Sequence, residues 1–116
     1  MDARVIAAIQ RMESGLRERL TVPQLASGVQ LSVAQLTRLF RRDTGATPGT
    51  YLHSLRLARA KTLLERTSLS VGEVMRQVGL SDRSHFARDF LRRYGSNPRS
   101  FRLASRPASR WGSADL

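Results

Sequence analysis

Apolar residues recur at intervals of three and four along most of this chain, the spacing of one face of an α-helix. Val5, Ile6, Ile9, Met12 and Leu16 predict a first helix over residues 2–19, slightly weakened by Gly15. Thr21 followed three residues later by Gln24 has the spacing of a capping box. It predicts a short helix that turns Leu25, Ala26 and Val29 inward, with Gly28 near its end. Gln30 and Leu31 read as a turn. Ser32 and Gln35 repeat the capping spacing and start a helix that runs to about Asp43, with Leu36, Leu39 and Phe40 on one face and Gly45 as its stop. Residues 21–45 therefore read as two helices joined by a turn of about four residues, a helix-turn-helix.

Residues 47–66 read as one longer helix. Thr47 caps its first turn, and Pro48 suits the first helical position, where a missing N–H costs nothing. Leu52, Leu55, Leu57, Ala60, Leu63 and Leu64 cover about half of its circumference, more than one packing partner needs. At ~1.5 Å per residue it spans about 28 Å. Beyond it the earlier pattern returns. Ser70 and Glu73 form a third capping box, and Val74, Met75 and Val78 line a short helix. Gly79, Leu80 and Ser81 make a turn. Asp82 caps a further helix with Phe86 and Phe90 inside and Gly95 as its stop, and Asn97-Pro98 opens a last short turn carrying Phe101.

The two flanks are copies of one unit. At an offset of 49, Leu20, Val22, Val29, Leu31 and Ser32 meet identical residues at 69, 71, 78, 80 and 81. One residue is then inserted, and at an offset of 50 Arg38, Phe40, Arg42, Gly45 and Pro48 meet Arg88, Phe90, Arg92, Gly95 and Pro98. The expected organisation is all-α, with seven helices. A first helix-turn-helix subdomain (1–46) and a second (67–103) are joined by the central linker helix (47–66). Residues 104–116, without apolar period, read as a disordered tail in which Trp111 is the candidate docking residue. Arg38 and Arg88 fall on the outer sides of their helices, so the repeat also preserves something that faces out.

Charge narrows the function. Twenty basic residues face nine acidic ones, a net +11, and nineteen of the twenty are Arg. An Arg-rich genome accounts for Arg over Lys but not for a twofold excess of basic residues. A polyanion is the natural partner, with nucleic acid favoured over a membrane surface or an acidic protein. There is no cysteine, which removes disulfides, thiolate nucleophiles and Cys-ligated zinc and fits a reducing compartment. No apolar run approaches ~18 residues and the N-terminus lacks a signal-peptide pattern, so a soluble cytoplasmic protein without membrane contact is expected. An enzyme is disfavoured. His53 and His85 are the only histidines, each best read as a solvated or core-edge imidazole. Paired carboxylates, a Gly-rich phosphate loop and metal-ligand spacing are lacking, and no cofactor is implied.

Three spaced stretches carry a resemblance. Leu25-Ala26 followed by residues 32–41 (Ser-Val-Ala-Gln-Leu-Thr-Arg-Leu-Phe-Arg) and Gly45 resembles the first helix-turn-helix of the AraC/XylS family of transcription regulators. Residues 56–64 are similar to that family's linker helix. Residues 78–90 with Gly95, Pro98 and Phe101-Arg102 resemble its second-unit signature, with Met75 where a small residue is usual and Leu80 where Phe is usual. The match covers about residues 3–103. It implies sequence-specific binding of double-stranded promoter DNA, usually activating. It also implies a module that is commonly the C-terminal part of a longer regulator with a separate sensor or dimerisation domain. RNA polymerase is a further partner the resemblance allows.

A recognition helix reads base edges in the major groove with its outward residues. By resemblance Ala34, Thr37 and Arg38 occupy base-contact positions in the first unit. Arg38 can bind guanine O6 and N7 or clamp a phosphate, whereas Ala34 and Thr37 offer a thymine methyl only apolar contact or a weak hydrogen bond, so readout here is modest. In the second unit Arg83, Ser84 and Arg88 face outward with His85 beside them, and Arg83 and Arg88 have the strongest capacity for guanine. Arg41, Arg42, Arg92 and Arg93, late in these helices, suit phosphates. Lys61 and Arg59 read as solvated, and Arg56 as a structural arginine paired with a carboxylate. Reading helices one turn apart along DNA are about 34 Å apart. A linker of about 28 Å points to a monomer spanning two successive major-groove segments of an asymmetric site, with the DNA bent or one unit released. The rival reading is a non-specific architectural DNA binder, and a third is a module that binds polymerase or another regulator.

Overall fold

The computed structural model describes residues 1–105, and the expected tail beyond them, with Trp111, lies outside the described residues. Those residues form α1 (Ala3–Ser14), α2 (Val22–Gly28), α3 (Val33–Thr44), α4 (Pro48–Arg66), α5 (Val71–Val78), α6 (Arg83–Tyr94) and α7 (Pro98–Ser105), and contain no strand. The all-α, seven-helix expectation stands. The chain divides into two compact units, Met1–Arg56 and Leu57 onward, so α4 belongs to both. Leu52 lies in the first core, while Leu57, Ala60 and Leu64 lie in the second. The wide apolar arc of α4 is thus two arcs, one for each half of the helix.

The predicted caps start the helices. Thr21 with Gln24, Ser32 with Gln35 and Ser70 with Glu73 each exchange both hydrogen bonds of a capping box, satisfying backbone N–H groups that a helix start leaves open. The Asp82 carboxylate accepts from the His85 backbone N–H at 2.9 Å, and Thr47 Oγ1 accepts from the Thr50 backbone N–H at 3.2 Å. Gly45, Gly79 and Gly95 end their helices at φ near 80°, where a side chain would be strained.

In the first unit Val5, Ala8, Met12, Leu16, Leu25, Ala26, Leu36, Phe40 and Leu52 are buried together. The first helix is shorter than predicted. It ends at Ser14, and the Gly15 N–H bonds to the Met12 carbonyl at 3.2 Å, an i→i−3 closure that stops propagation. Leu16 still reaches the core from the following turn. Ile6, expected inside, is 42% exposed, and Ala8 takes the buried position that continues the Val5–Met12 face.

The second unit buries Leu57, Ala60, Leu64, Val74, Met75, Val78, Phe86 and Phe90. Its aromatic packing repeats that of the first. Phe40 meets Tyr51 edge-on at 5.6 Å, and fifty residues later Phe90 meets Phe101 edge-on at 5.3 Å. The last element is two turns rather than one, and Ala104 and Ser105, assigned to the tail, close it. Ser32, matched by identity to Ser81 in the sequence, is matched in the structure by the cap Asp82, so the extra residue of the second unit is Ser81. The left-handed residue of the turn is Gln30 in one unit and Gly79 in the other, but the caps that follow are Ser32 and Asp82.

Candidate nucleic-acid interface

In each unit the core fixes which side of the second short helix is left outside. Leu36 and Phe40 are fully buried in α3, and Phe86 and Phe90 in α6. The opposite faces are open. On α3, Ala34, Arg38 and Arg41 are exposed at a spacing of four and three residues, one face of a helix, and Thr37 is half-buried beside them. On α6, Ser84 and Arg88 are exposed on the matching face, flanked by exposed Arg83 and His85. Neither Arg38 nor Arg88 turns inward.

The expected phosphate-contact residues differ in how they are held. Arg41 is exposed and makes no ion pair with the described residues. Arg42 Nε donates to Asp43 at 3.0 Å, and its Nη2 lies 3.9 Å from Asp2. Asp43 in turn accepts from the Asp2 backbone N–H at 2.8 Å, joining the start of α1 to the end of α3. The Arg4 guanidinium, followed by the Arg4 backbone N–H, holds the Asp2 carboxyl down at about 2, and the Arg42 guanidinium lowers that of Asp43. Arg92 Nη1 is 3.9 Å from Asp89. The Arg93 guanidinium lies 5.8 Å from the Tyr94 ring centroid. His85 Nδ1 is 3.7 Å from the Asp82 carboxylate, whose pKa is lowered chiefly by the His85 backbone N–H.

Two arginines hold loops in place, Arg56 in the structural role expected of it but with other partners, and Arg102 in a role that spacing did not show. Arg56 Nη2 donates to the carbonyls of Leu16 and Glu18 at 3.4 and 3.0 Å, in the loop after α1. Its partners are carbonyls rather than the expected carboxylate, because that loop leaves carbonyl oxygens without helical donors. Burial lowers the Arg56 pKa. In the second unit Arg102 Nε donates to the Leu64 carbonyl at 3.1 Å and its Nη1 donates to that of Leu69. Leu64 is in the last turn of α4, where carbonyls lack intrahelical partners. Lys61 is likewise held rather than solvated. Its ammonium is 3.2 Å from Glu65 and 5.7 Å from the ring centroids of both Tyr94 and Phe101. A matched sequence signal existed only for the aromatic positions.

No helix among the described residues is long and apolar enough to cross a membrane. The exposed faces of α3 and α6 present guanidinium, hydroxyl, imidazole and methyl groups, which suit base edges and phosphates.

A model described as a helix-turn-helix domain matches residues 25–104. A transcriptional regulator from Chromobacterium violaceum, described as an AraC-type DNA-binding domain-containing protein, is 32% identical. It superposes with a TM-score of 0.82 over 89% of this chain and 92% of that one. The chain belongs to the AraC family of helix-turn-helix domains. The DNA-binding domain of the global transcriptional factor AdpA, solved in complex with a target DNA, is 30% identical with a TM-score of 0.85, covering 90% and 95% of the two chains. Among curated relatives, the AraC-family match extends to the transcriptional activator RhaS of Escherichia fergusonii, 35% identical over 101 residues, 87% of this chain and 36% of that protein. The transcriptional regulator GbdR of Pseudomonas aeruginosa is 37% identical over 91 residues, 78% of this chain and 25% of GbdR. The chain thus spans about a quarter to a third of the length of such AraC-family relatives. The two departures from the family pattern, Met75 and Leu80, both pack in the second core.

Proposed function

We propose that this chain is the DNA-reading part of a transcription regulator. It binds a specific double-stranded promoter site with α3 and α6 in two successive major-groove segments. Arg38, Ala34 and Thr37 face the bases in one segment, and Arg88, Arg83, Ser84 and His85 in the other. Arg41, Arg42, Arg92 and Arg93 meet the phosphates that flank them. The observation that carries the reading is the pair Arg38 and Arg88, matched by the repeat and exposed on the same side of their helices in both units. An architectural binder needs charge but no such matched outward side chains. Family membership and the DNA complex of the AdpA domain support the same reading, as does the net +11. Activation, the role in the name of the relative RhaS, belongs to this proposal, as do contact with RNA polymerase at the promoter and coupling to a sensor or dimerisation domain.

The test is affinity for sites selected from random duplexes against unselected DNA at one salt concentration. Specific binding is expected to exceed non-specific by at least ~1,000-fold. Arg38→Ala and Arg88→Ala are each expected to lower affinity for the selected site about 5- to 100-fold, with little loss on unselected DNA. A ratio near one, or a palindromic footprint that requires a dimer, contradicts the proposal.

A further inference from the structure

The two reading helices match in position but not in chemistry. At the offset of 50, the first residue of α3 is Val33 and that of α6 is Arg83. Both are exposed, Val33 by 42%. The next matched pair is Ala34 and Ser84, and Thr37 is matched by Ala87. The first two turns of α3 therefore offer methyl groups, from Val33, Ala34 and Thr37, with the Thr37 hydroxyl beside them, the Gln35 amide engaged in the cap, and Arg38 as the one cation. The same turns of α6 offer two guanidinium groups, a hydroxyl and an imidazole.

Single exposed apolar residues are ordinary on protein surfaces. What sets Val33 apart is its place. It stands at the start of a helix, where residues of a reading helix reach base edges, and at the position its twin gives to arginine. The major groove has one apolar group on its base edges, the thymine 5-methyl, and guanine is the base that presents two acceptors to a guanidinium. From this contrast, and resting on the reading that both helices enter the major groove, we infer that the target is a composite of two unlike halves. The half under α3 is thymine-bearing, read through methyl contacts by Val33, Ala34 and Thr37 around one guanine taken by Arg38. The half under α6 carries two guanines, taken by Arg83 and Arg88. Val33 is a specificity-determining residue of the first half. Leu91, 50% exposed, does not make the α6 half alike. It stands in the third turn, beyond the turns that reach base edges, where its match is Arg41.

The test uses the full 116-residue chain and a site selected from random duplexes. Deoxyuridine in place of thymidine removes only the 5-methyl, and 7-deazaguanine removes the N7 acceptor. Uracil in one half is expected to weaken binding about fourfold for each methyl lost, with no effect in the other. 7-Deazaguanine is expected to weaken binding about tenfold at each of two positions in the other half and at one position in the thymine half. Val33→Arg, on an exposed first-turn position that no core contact needs, is expected to abolish the response to uracil at one base pair, leaving any methyl read by Ala34 or Thr37, and to raise affinity for guanine at that base pair. A selected site without thymine in either half, equal uracil responses in both halves, or a Val33→Arg protein that keeps every uracil response of its parent overturns the inference and leaves specific DNA binding in place. Failure to enrich any site overturns both.

Discussion

The turn between α2 and α3 holds a residue that its conformation does not suit. Gln30 has φ of 60°, the left-handed region, and its twin Gly79 has φ of 79°. The surrounding bonds are the same. The Leu31 N–H reaches the Ala26 carbonyl at 2.9 Å, and the Leu80 N–H reaches the Met75 carbonyl at 2.9 Å. This six-residue closure places its fifth residue in the left-handed region, and glycine is the usual occupant. Gln30 is exposed, so its side chain contributes no burial against the cost. A side chain in this conformation costs roughly 1–2 kcal/mol. Glycine there instead costs about 0.5–1 kcal/mol through the extra freedom of the unfolded chain. The difference predicts that Gln30→Gly stabilises the protein by about 0.5–1 kcal/mol, a rise in Tm of roughly 2–6 °C for a domain of this size. Gly45→Ala calibrates the scale. Gly45 has φ of 80° and nothing within 4 Å of an added Cβ, so its loss reports backbone strain alone. It should cost about 1 kcal/mol. Thermal and urea unfolding followed by circular dichroism at 222 nm measures both. A Gln30→Gly protein less stable than its parent, with Gly45→Ala destabilised as expected, refutes the argument.

Arg102→Met keeps the stem but removes two charge-assisted hydrogen bonds, about 1.5–3 kcal/mol each. The relief of the buried, unpartnered Nη2 returns about 1–3 kcal/mol. A net loss of about 2 kcal/mol is expected in urea unfolding, with Arg102→Lys losing less because its ammonium still serves one carbonyl. Arg41→Ala should lower the slope of log K against log salt by about 0.9 in anisotropy titrations, one phosphate's worth. Arg42→Ala should lower it by less, because Asp43 and Asp2 already hold that guanidinium in the free protein. Equal slopes would show that the ion pairs do not compete. Stability should be flat from neutrality down to about pH 4.5 and fall below it. Asp2, Asp43, Glu18, Glu73 and Asp82 all have folded pKa values below their ordinary ones, so their contribution is present above those ordinary values and is lost as acid protonates them. Acid unfolding monitored by circular dichroism checks the window.

What the sequence showed was local. Capping boxes, helix-stop glycines and three-and-four spacing are set within a turn or two of chain, and each appears in the structure within a few residues of its prediction. The exposed faces of α3 and α6 followed from the same patterns, because knowing that Leu36, Phe40, Phe86 and Phe90 are inside decides what is outside. The errors are also local. Ile6 and Ala8 lie two residues apart on one helix, and apolar character alone put the larger one inside.

The hydrogen bonds that tie the loops down lay beyond such patterns, because they join residues far apart in sequence. Arg56 meets Glu18 across 38 positions, and Arg102 meets Leu64 across 38 and Leu69 across 33. Spacing set Arg56 apart as structural but gave it the wrong kind of partner, and in a chain with nineteen arginines it did not separate Arg102 from those that face solvent. The repeat does not separate them either, since at an offset of 50 Arg102 falls on Leu52, and a similar device was reached from different positions. That difference bears on how the doubled unit diverged. Cores, caps and helix stops admit few residue types at each position, so both copies kept them. A loop carbonyl accepts from any donor that reaches it, and a base edge selects its reader by the DNA to be bound. Val33 against Arg83 and Ala34 against Ser84 are exposed in both copies, so packing makes little demand there and the difference is left to the ligand.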